Sequence, residues 1–202
     1  MLLGIPLPLT VIQILAVDLG TDMLPALALG AEAPHPDLML QPPRARRERL
    51  LSWRLALRAY LWLGLLEAGI AMAAFYFVLD GIGWHQGDVL ASTDPAYLRA
   101  TTACFAGIVA AQMVNLFVCR HPLQSTLRFG LFDNPLLLAG LALELLLLLL
   151  IIYTPLGNSL FGTAALPPEV WLLILPLALA MGLLEEGRKA LLRWLARRKR
   201  PA

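Results

Sequence analysis

The sequence predicts an all-α integral membrane protein, a bundle of about five transmembrane helices of which the first is interrupted near Gly20–Pro25. Hydrophobic residues make up 59% of the 202 residues and charged residues only 15%, against about 25% charged residues in soluble domains. The mean hydropathy is +0.72. The apolar residues fall in blocks of about 20, the length at which a helix crosses a hydrocarbon layer. This pattern excludes an ordinary soluble globule, and the high hydrophobicity excludes a disordered chain.

Hydropathy and helix-breaking residues divide the chain into five spans within a single transmembrane domain, residues 1–202. The spans are expected at about 5–29, 56–79, 100–119, 135–153 and 168–184. The connections carry prolines, glycines and charges, and residues 154–167 are expected to form a turn-rich loop. The segment 33–54 holds four prolines ahead of an arginine cluster, so we expect it to lie on a membrane surface.

The basic residues predict the orientation of these spans. Fifteen of the 16 Lys and Arg residues fall on one side of the assigned spans, and only Arg99 falls on the other. By the positive-inside rule, the N-terminus is expected outside and the C-terminus in the cytoplasm. We expect the membrane to be a bacterial plasma membrane.

The first span carries the sharpest group of candidate site residues. Asp18 and Asp22 are four residues apart, so a helix places them on one face, with Thr21 beside Asp22. Pro25 cannot donate to the carbonyl of Thr21, and Gly20 loosens the same turn, so the helix is expected to unwind there. Carboxylate and carbonyl oxygens favour hard cations such as calcium, sodium or potassium. Two acids this close also favour partial protonation of one, which makes proton counter-transport available. The alternative is that both acids form hydrogen bonds between helices.

Other polar residues occur within the apolar spans. Gln112 and Asn115 share a helical face in the third span, where amides often hold helices together rather than bind ligands. Glu144 stands alone in a leucine-rich run and should face the bundle. Glu67 is expected to do likewise or to pair with a polar neighbour. For both acids, a protonated packing residue is the alternative.

The end of the chain and the missing motifs limit the remaining functions. Glu185 and Glu186 precede Arg188 and Lys189, which we interpret as a solvated ion-pair face at the end of the last span. The basic tail 193–200 is expected to anchor on anionic lipid rather than on nucleic acid. The sequence holds no GxxxxGK[ST] phosphate loop, no GxGxxG motif and no zinc-binding pattern.

At the level of motifs, the chain resembles the C-terminal transmembrane region, helices six to ten, of type II P-type cation-transporting ATPases, the calcium and sodium/potassium pumps and their bacterial relatives. The most specific match is the segment Pro6–Ala26, with DLGTDMLP at its centre, which resembles the sixth helix of that family. Weaker matches cover essentially the rest of the chain: Pro36-Asp37, Pro42-Pro43-Arg44, Gln112 to Asn115, Asp133-Asn134-Pro135 and Glu185 to Lys189.

The resemblance implies which residues would handle the cation. Asp18, Thr21 and Asp22 fall on the cation ligands of the sixth helix, and the pair of acids is more similar to the sodium/potassium pumps than to the calcium pumps. Gln112 and Asn115 fall where the eighth helix bears its site residues, although the acid that several pumps carry there is missing. Glu144 falls near an acid of the ninth helix that is associated with an additional sodium or proton path.

The resemblance also implies what this chain would lack. The DKTGT phosphorylation motif, the nucleotide and actuator domains and the first five helices of the family are not in this sequence. The chain alone is therefore expected to need no cofactor and to have no ATPase activity, with Mg-ATP acting only through a partner that supplies the catalytic portion. The transported cation would be calcium, sodium, potassium or a proton. The alternatives are a non-catalytic bundle that regulates a full-length pump, or an inactive fragment.

Overall fold

The computed structural model describes residues 5–21, 23–32, 52–126 and 133–198, and within these ranges every regular element is helical. The prediction of an all-α bundle is confirmed. In chain order the elements are α1 (Val11–Leu15), the π-helix π1 (Ala16–Thr21), α2 (Met23–Gly30), α3 (Trp53–Ala56), the π-helix π2 (Leu57–Leu63), α4 (Gly64–Gly81), α5 (Pro95–Cys119), α6 (Pro135–Tyr153), α7 (Pro155–Phe161) and α8 (Pro168–Arg198).

Five helical stretches among the described residues are long and apolar enough to cross a membrane, as the hydropathy predicts. These first to fifth spans are Val11–Gly30, Leu57–Gly81, Pro95–Cys119, Pro135–Tyr153 and Pro168–Arg198. The fourth span has the expected bounds. The third begins earlier than expected, at Pro95. The fifth continues well past residue 184 as one helix to Arg198, so its later charged residues are helical as well.

Local sequence signals explain where three of the helices begin. Asp94, Asn134 and Thr154 each precede a proline, and each side chain accepts a hydrogen bond from a backbone amide in the first turn of the following helix. Proline suits the first helical position because its missing N–H has no partner there. One of these starts lies within residues 154–167, for which the sequence predicts a loop. The short helix α7 occupies half of that segment.

The interruption predicted in the first span is present, but its form differs from the expectation. The backbone of Ala16–Thr21 is π-helical rather than unwound, and the hydroxyl of Thr21 donates to the carbonyl oxygen of Val17 at 3.0 Å. A π turn changes the α-helical hydrogen-bond pattern locally, so the backbone of the whole turn need not unwind. The second π-helix, π2, had no signal in hydropathy or in proline and glycine spacing.

The third span lies at the centre of the bundle. It is 61% buried over its most apolar window, against 28–35% for the other four spans. Small residues permit this burial, since a Cβ on Gly107 would lie 3.2 Å from the Cα of Ala71 in α4. Close backbone approach through small residues is the usual packing mode of membrane helices. The third span therefore presents side chains to both the second and the fifth span.

One end of the bundle is fastened by polar contacts between the loops and the buried residues. The side-chain amide of Gln13 donates to Thr101 Oγ1 at 3.4 Å and to the carbonyl oxygen of Gly162 at 3.3 Å. The hydroxyl of Thr163 donates to the carbonyl oxygen of Ile151 at 2.6 Å. These bonds fix the first, third and fourth spans relative to one another at this end.

Candidate cation-binding cavity

A polar cavity of about 280 Å³ opens between four of the five spans. The first span contributes apolar residues of α2, and the other three contribute carboxyl, amide and thiol groups. The lining residues are Pro25, Ala26, Leu29, Glu67, Gln112, Asn115, Leu116, Cys119 and Glu144. The cavity thus combines oxygen donors from the second, third and fourth spans.

The third and fourth spans bring three of the residues singled out in the sequence to this cavity. Gln112 and Asn115 lie on one face of α5, as their spacing predicts, and both are half-buried. Asn115 Oδ1 also accepts a hydrogen bond from the thiol of Cys119 at 3.1 Å. Glu144 of α6 is 2% exposed and lines the same cavity.

Glu67 is the fourth polar residue of the cavity, and it comes from the second span. Its sequence context allowed either a packing role or a polar neighbour, and the structure places it on the cavity with Glu144. Glu67, Gln112 and Glu144 all take part in polar interactions. The association of these residues requires the three helices to pack, so spacing along the chain does not reveal it.

The residues of the interrupted turn lie elsewhere. Thr21 is buried, with its hydroxyl on Val17 of its own helix, and Asp18 is exposed. Neither lines the cavity. Asp22, which the sequence predicts as a cation ligand together with Asp18 and Thr21, lies outside the described residues. The first span instead reaches the cavity through Pro25, Ala26 and Leu29.

The donor set of the cavity indicates the type of ligand it suits. No group of three or more His, Cys, Asp or Glu side chains with a metal-binding arrangement occurs in the described part of the chain. The oxygens around the cavity belong instead to two carboxyl groups and two amides. These carboxyl and amide oxygens suit hard cations, which accept both kinds of ligand.

A cluster of buried charges joins the beginning of the second span to the last part of the fifth span, where the sequence predicts a solvated ion-pair face. That prediction is wrong for Glu185, which is fully buried. Its carboxylate accepts hydrogen bonds from Arg58 at 2.6 and 3.0 Å, from Trp62 Nε1 at 3.0 Å and from Arg188 at 2.7 Å. The helical periodicity could have indicated this burial, because one face of α8 carries the buried residues Ile174, Ala178, Met181, Glu185 and Lys189.

The loop after the third span joins the same cluster. Glu186 accepts hydrogen bonds from the backbone amide of Thr126 at 3.0 Å and from its hydroxyl at 2.7 Å. The fully buried Lys189 donates to Glu186 at 2.9 Å. Arg120, at the start of this loop, forms an ion pair with Glu32 at the end of the first span. Charged contacts therefore connect this end of the first, second, third and fifth spans.

Comparison with known proteins places these features in a family context. The profile of the family described as "Cation transporting ATPase, C-terminus" matches residues 6–191. The chain is 35% identical over 179 residues to the calcium-transporting ATPase of Bacillus subtilis (strain 168), covering 87% of this chain and 18% of that protein. It is 29% identical over 217 residues to the potassium-transporting ATPase alpha chain 2 of Oryctolagus cuniculus, covering 95% and 20%. It is also 29% identical over 215 residues to the sodium/potassium-transporting ATPase subunit alpha-1 of Anguilla anguilla, covering 94% and 21%. The chain thus spans about a fifth of the length of these relatives.

Proposed function

The chain belongs to the family of C-terminal membrane regions of cation-transporting ATPases, and we propose that it supplies part of the cation site and path of such a pump. The cavity between the first four spans is the observation that carries this proposal. It holds two carboxyl groups and two amides, which come from three of the membrane spans. Keeping two carboxyl groups at membrane depth costs about 5–7 kcal/mol on the insertion scale. A bound cation or proton would offset that cost.

The ligands proposed for the cation fall into two groups. Gln112, Asn115 and Glu144 surround the cavity, and Glu67 joins them from the second span. Asp18, Thr21 and Asp22 form the second group, in the first span. We propose that Asp18 acts on the exposed side of the first span, toward a part of the pump that lies beyond these five spans.

The exposure of Asp18 supports a partner on that side. A carboxyl group within a span is costly against lipid, and such residues face a bundle interior or a water-filled cavity. Asp18 is exposed on the surface of this bundle, so another membrane segment should cover it. We propose that this segment belongs to the catalytic portion of the pump, since the relatives are about five times as long as this chain. ATP hydrolysis would take place there, since this sequence has no DKTGT motif.

The cavity can be tested with the 202-residue chain purified in detergent. Its melting temperature would be measured in choline chloride and with added calcium, sodium or potassium chloride. A cation at 100 times its Kd adds about 2.7 kcal/mol to stability, which for a chain of this size raises the melting temperature by about 5–10 °C. Glu144→Gln should abolish this response.

Glu169→Gln is the matched control, because Glu169 is an exposed acid at the start of α8. This variant should keep the full cation response. If none of the three cations stabilises the wild-type chain relative to choline, or if Glu144→Gln responds as the wild type does, the cavity is not a cation site and the proposal fails.

A further inference from the structure

The π-helix π2 in the second span ends at a glycine and is also held by contacts from another helix. It covers Leu57–Leu63, and the amide of Gly64 donates to the carbonyl of Ala59, five residues earlier. The segment LRAYLWL holds no proline, and Gly64 permits the close approach of the Ala59 carbonyl, because a Cβ at position 64 would lie 3.2 Å from that oxygen. A glycine permits a π turn but does not require one, and π turns are rare and frequent at functional sites, so a contact from outside should also hold this one.

Glu185 supplies that contact. Arg58 and Trp62 lie at either end of the same turn of π2, and both donate to the carboxylate of Glu185 in α8. Arg58 binds Oε1 through two nitrogens, and the indole of Trp62 binds Oε2. The carboxylate is fully buried, so water competes little for these bonds. One side chain of the fifth span therefore fixes one turn of the second span at two points.

The contacts of Glu185 with Arg58 and Trp62, called the Glu185 clamp below, lie on the same span as the cavity residue Glu67. Glu67 lies five residues after Trp62 and just before the apolar contact that Ile70 makes with Ala111 and Met181. It thus stands between two anchors on the second span, the Glu185 clamp and this apolar contact. Relaxation of a π turn to an α turn changes the helix register by one residue, which amounts to about 100° of rotation and 1.5 Å of rise. Such a change would displace Glu67 relative to the cavity.

We infer that Glu185 is a positioning residue for the cavity: by holding π2 through Arg58 and Trp62, it sets the place of Glu67 among the oxygen donors. This inference rests on the proposed function, since it assigns Glu67 to the cation site. Groups that orient the ligands of a bound cation affect its affinity without touching it. Glu185 acts here on a whole helical turn rather than on a single side chain.

The test compares Glu185→Gln with Glu169→Gln, the same substitution at the exposed end of the same helix. Two quantities would be measured on the purified chain: the apparent affinity for calcium, sodium and potassium from melting temperatures, and hydrogen exchange of the amides of residues 57–68. Glu185→Gln should weaken cation affinity about tenfold and accelerate exchange across these residues. Glu169→Gln should change neither.

A milder variant keeps the test decisive if Glu185→Gln folds poorly. Trp62→Phe removes one donor to Glu185 and retains an aromatic ring, and it should produce the same two changes to a smaller extent. Unchanged affinity in the presence of faster exchange would show that Glu185 only fastens helices and would overturn the inference. If the wild-type chain shows no cation response, the proposed function fails. Hydrogen exchange then tests only whether Glu185 holds π2, and equal exchange rates in Glu185→Gln and the wild type would contradict that contact.

Discussion

Gly157 tests whether the short helix α7 is packed as tightly as the structure indicates. A Cβ at this position would lie 2.4 Å from the carbonyl oxygen of Leu150 and 2.6 Å from that of Ile151, whereas ordinary contact begins at 3.4 Å. These are backbone atoms of α6 and cannot rotate aside, so Gly157→Ala should push α7 away by about 1 Å. Overpacking costs about 1–3 kcal/mol. The displacement would also strain the bond from Thr163 to the Ile151 carbonyl, worth about 1 kcal/mol.

The expected total is a loss of about 2–4 kcal/mol, which corresponds to a fall in melting temperature of about 5–15 °C. The assay is thermal unfolding in detergent, followed by circular dichroism. Gly187→Ala is the matched control, because a Cβ added at Gly187 would have no atom within 4 Å, and alanine in a helix is about 0.5–1 kcal/mol more favourable than glycine. If Gly157→Ala melts within about 2 °C of the wild type, α7 does not pack on α6 as closely as the structure shows.

The orientation, the charge cluster and the first span each lead to a further prediction. A single cysteine placed at Asp88 should react with a membrane-impermeant thiol reagent from outside, and one placed at Arg47 should not; the reverse pattern would contradict the proposed orientation. Glu186→Gln should destabilise the chain by about 2–4 kcal/mol, because it leaves the buried ammonium of Lys189 without its carboxylate. Adding Lys189→Met to that variant should restore most of the lost stability, as judged by melting temperature. In a pump assembled with a catalytic partner, Asp22→Asn should abolish cation-dependent ATP turnover, and normal turnover would place the site elsewhere.

Hydropathy was sufficient to predict the architecture, because the cost of exposing backbone in lipid leaves helices of membrane length as the main solution. It could not predict π1 and π2, because their difference from α-helix lies in hydrogen-bond register rather than in composition. Hydropathy also did not indicate α7. The N-cap signal of this helix, Thr154 before a proline, lies in a segment rich in turn-forming residues. Burial of Glu185 was missed for a related reason: a run of charges suggests solvent, although the period of α8 places that residue on the packed face.

The candidate site shows a similar division between local and tertiary information. The shared face of Gln112 and Asn115 follows from their spacing on a helix, and both residues line the cavity. Glu67 and Glu144 belong to different spans, and their approach to one cavity depends on how those spans pack. No property of either local sequence specifies that packing. A single sequence therefore indicates which residues are candidates, and the tertiary structure indicates which of them share a site.

Asp18 and Pro25 of the first span differ in exposure although they lie seven residues apart. Residues seven apart lie on nearly the same face of an α-helix, because two turns require 7.2 residues. Asp18 is nevertheless exposed, whereas Pro25 is buried and lines the cavity. The wider turns of Ala16–Thr21 rotate the earlier residues relative to the α-helical phase. The first span thus presents Pro25, Ala26 and Leu29 to the cavity and Asp18 to the surface of the bundle. A helix with this arrangement is suited to stand between two parts of an ion path, one formed by these five spans and the other by the segment that we propose covers Asp18.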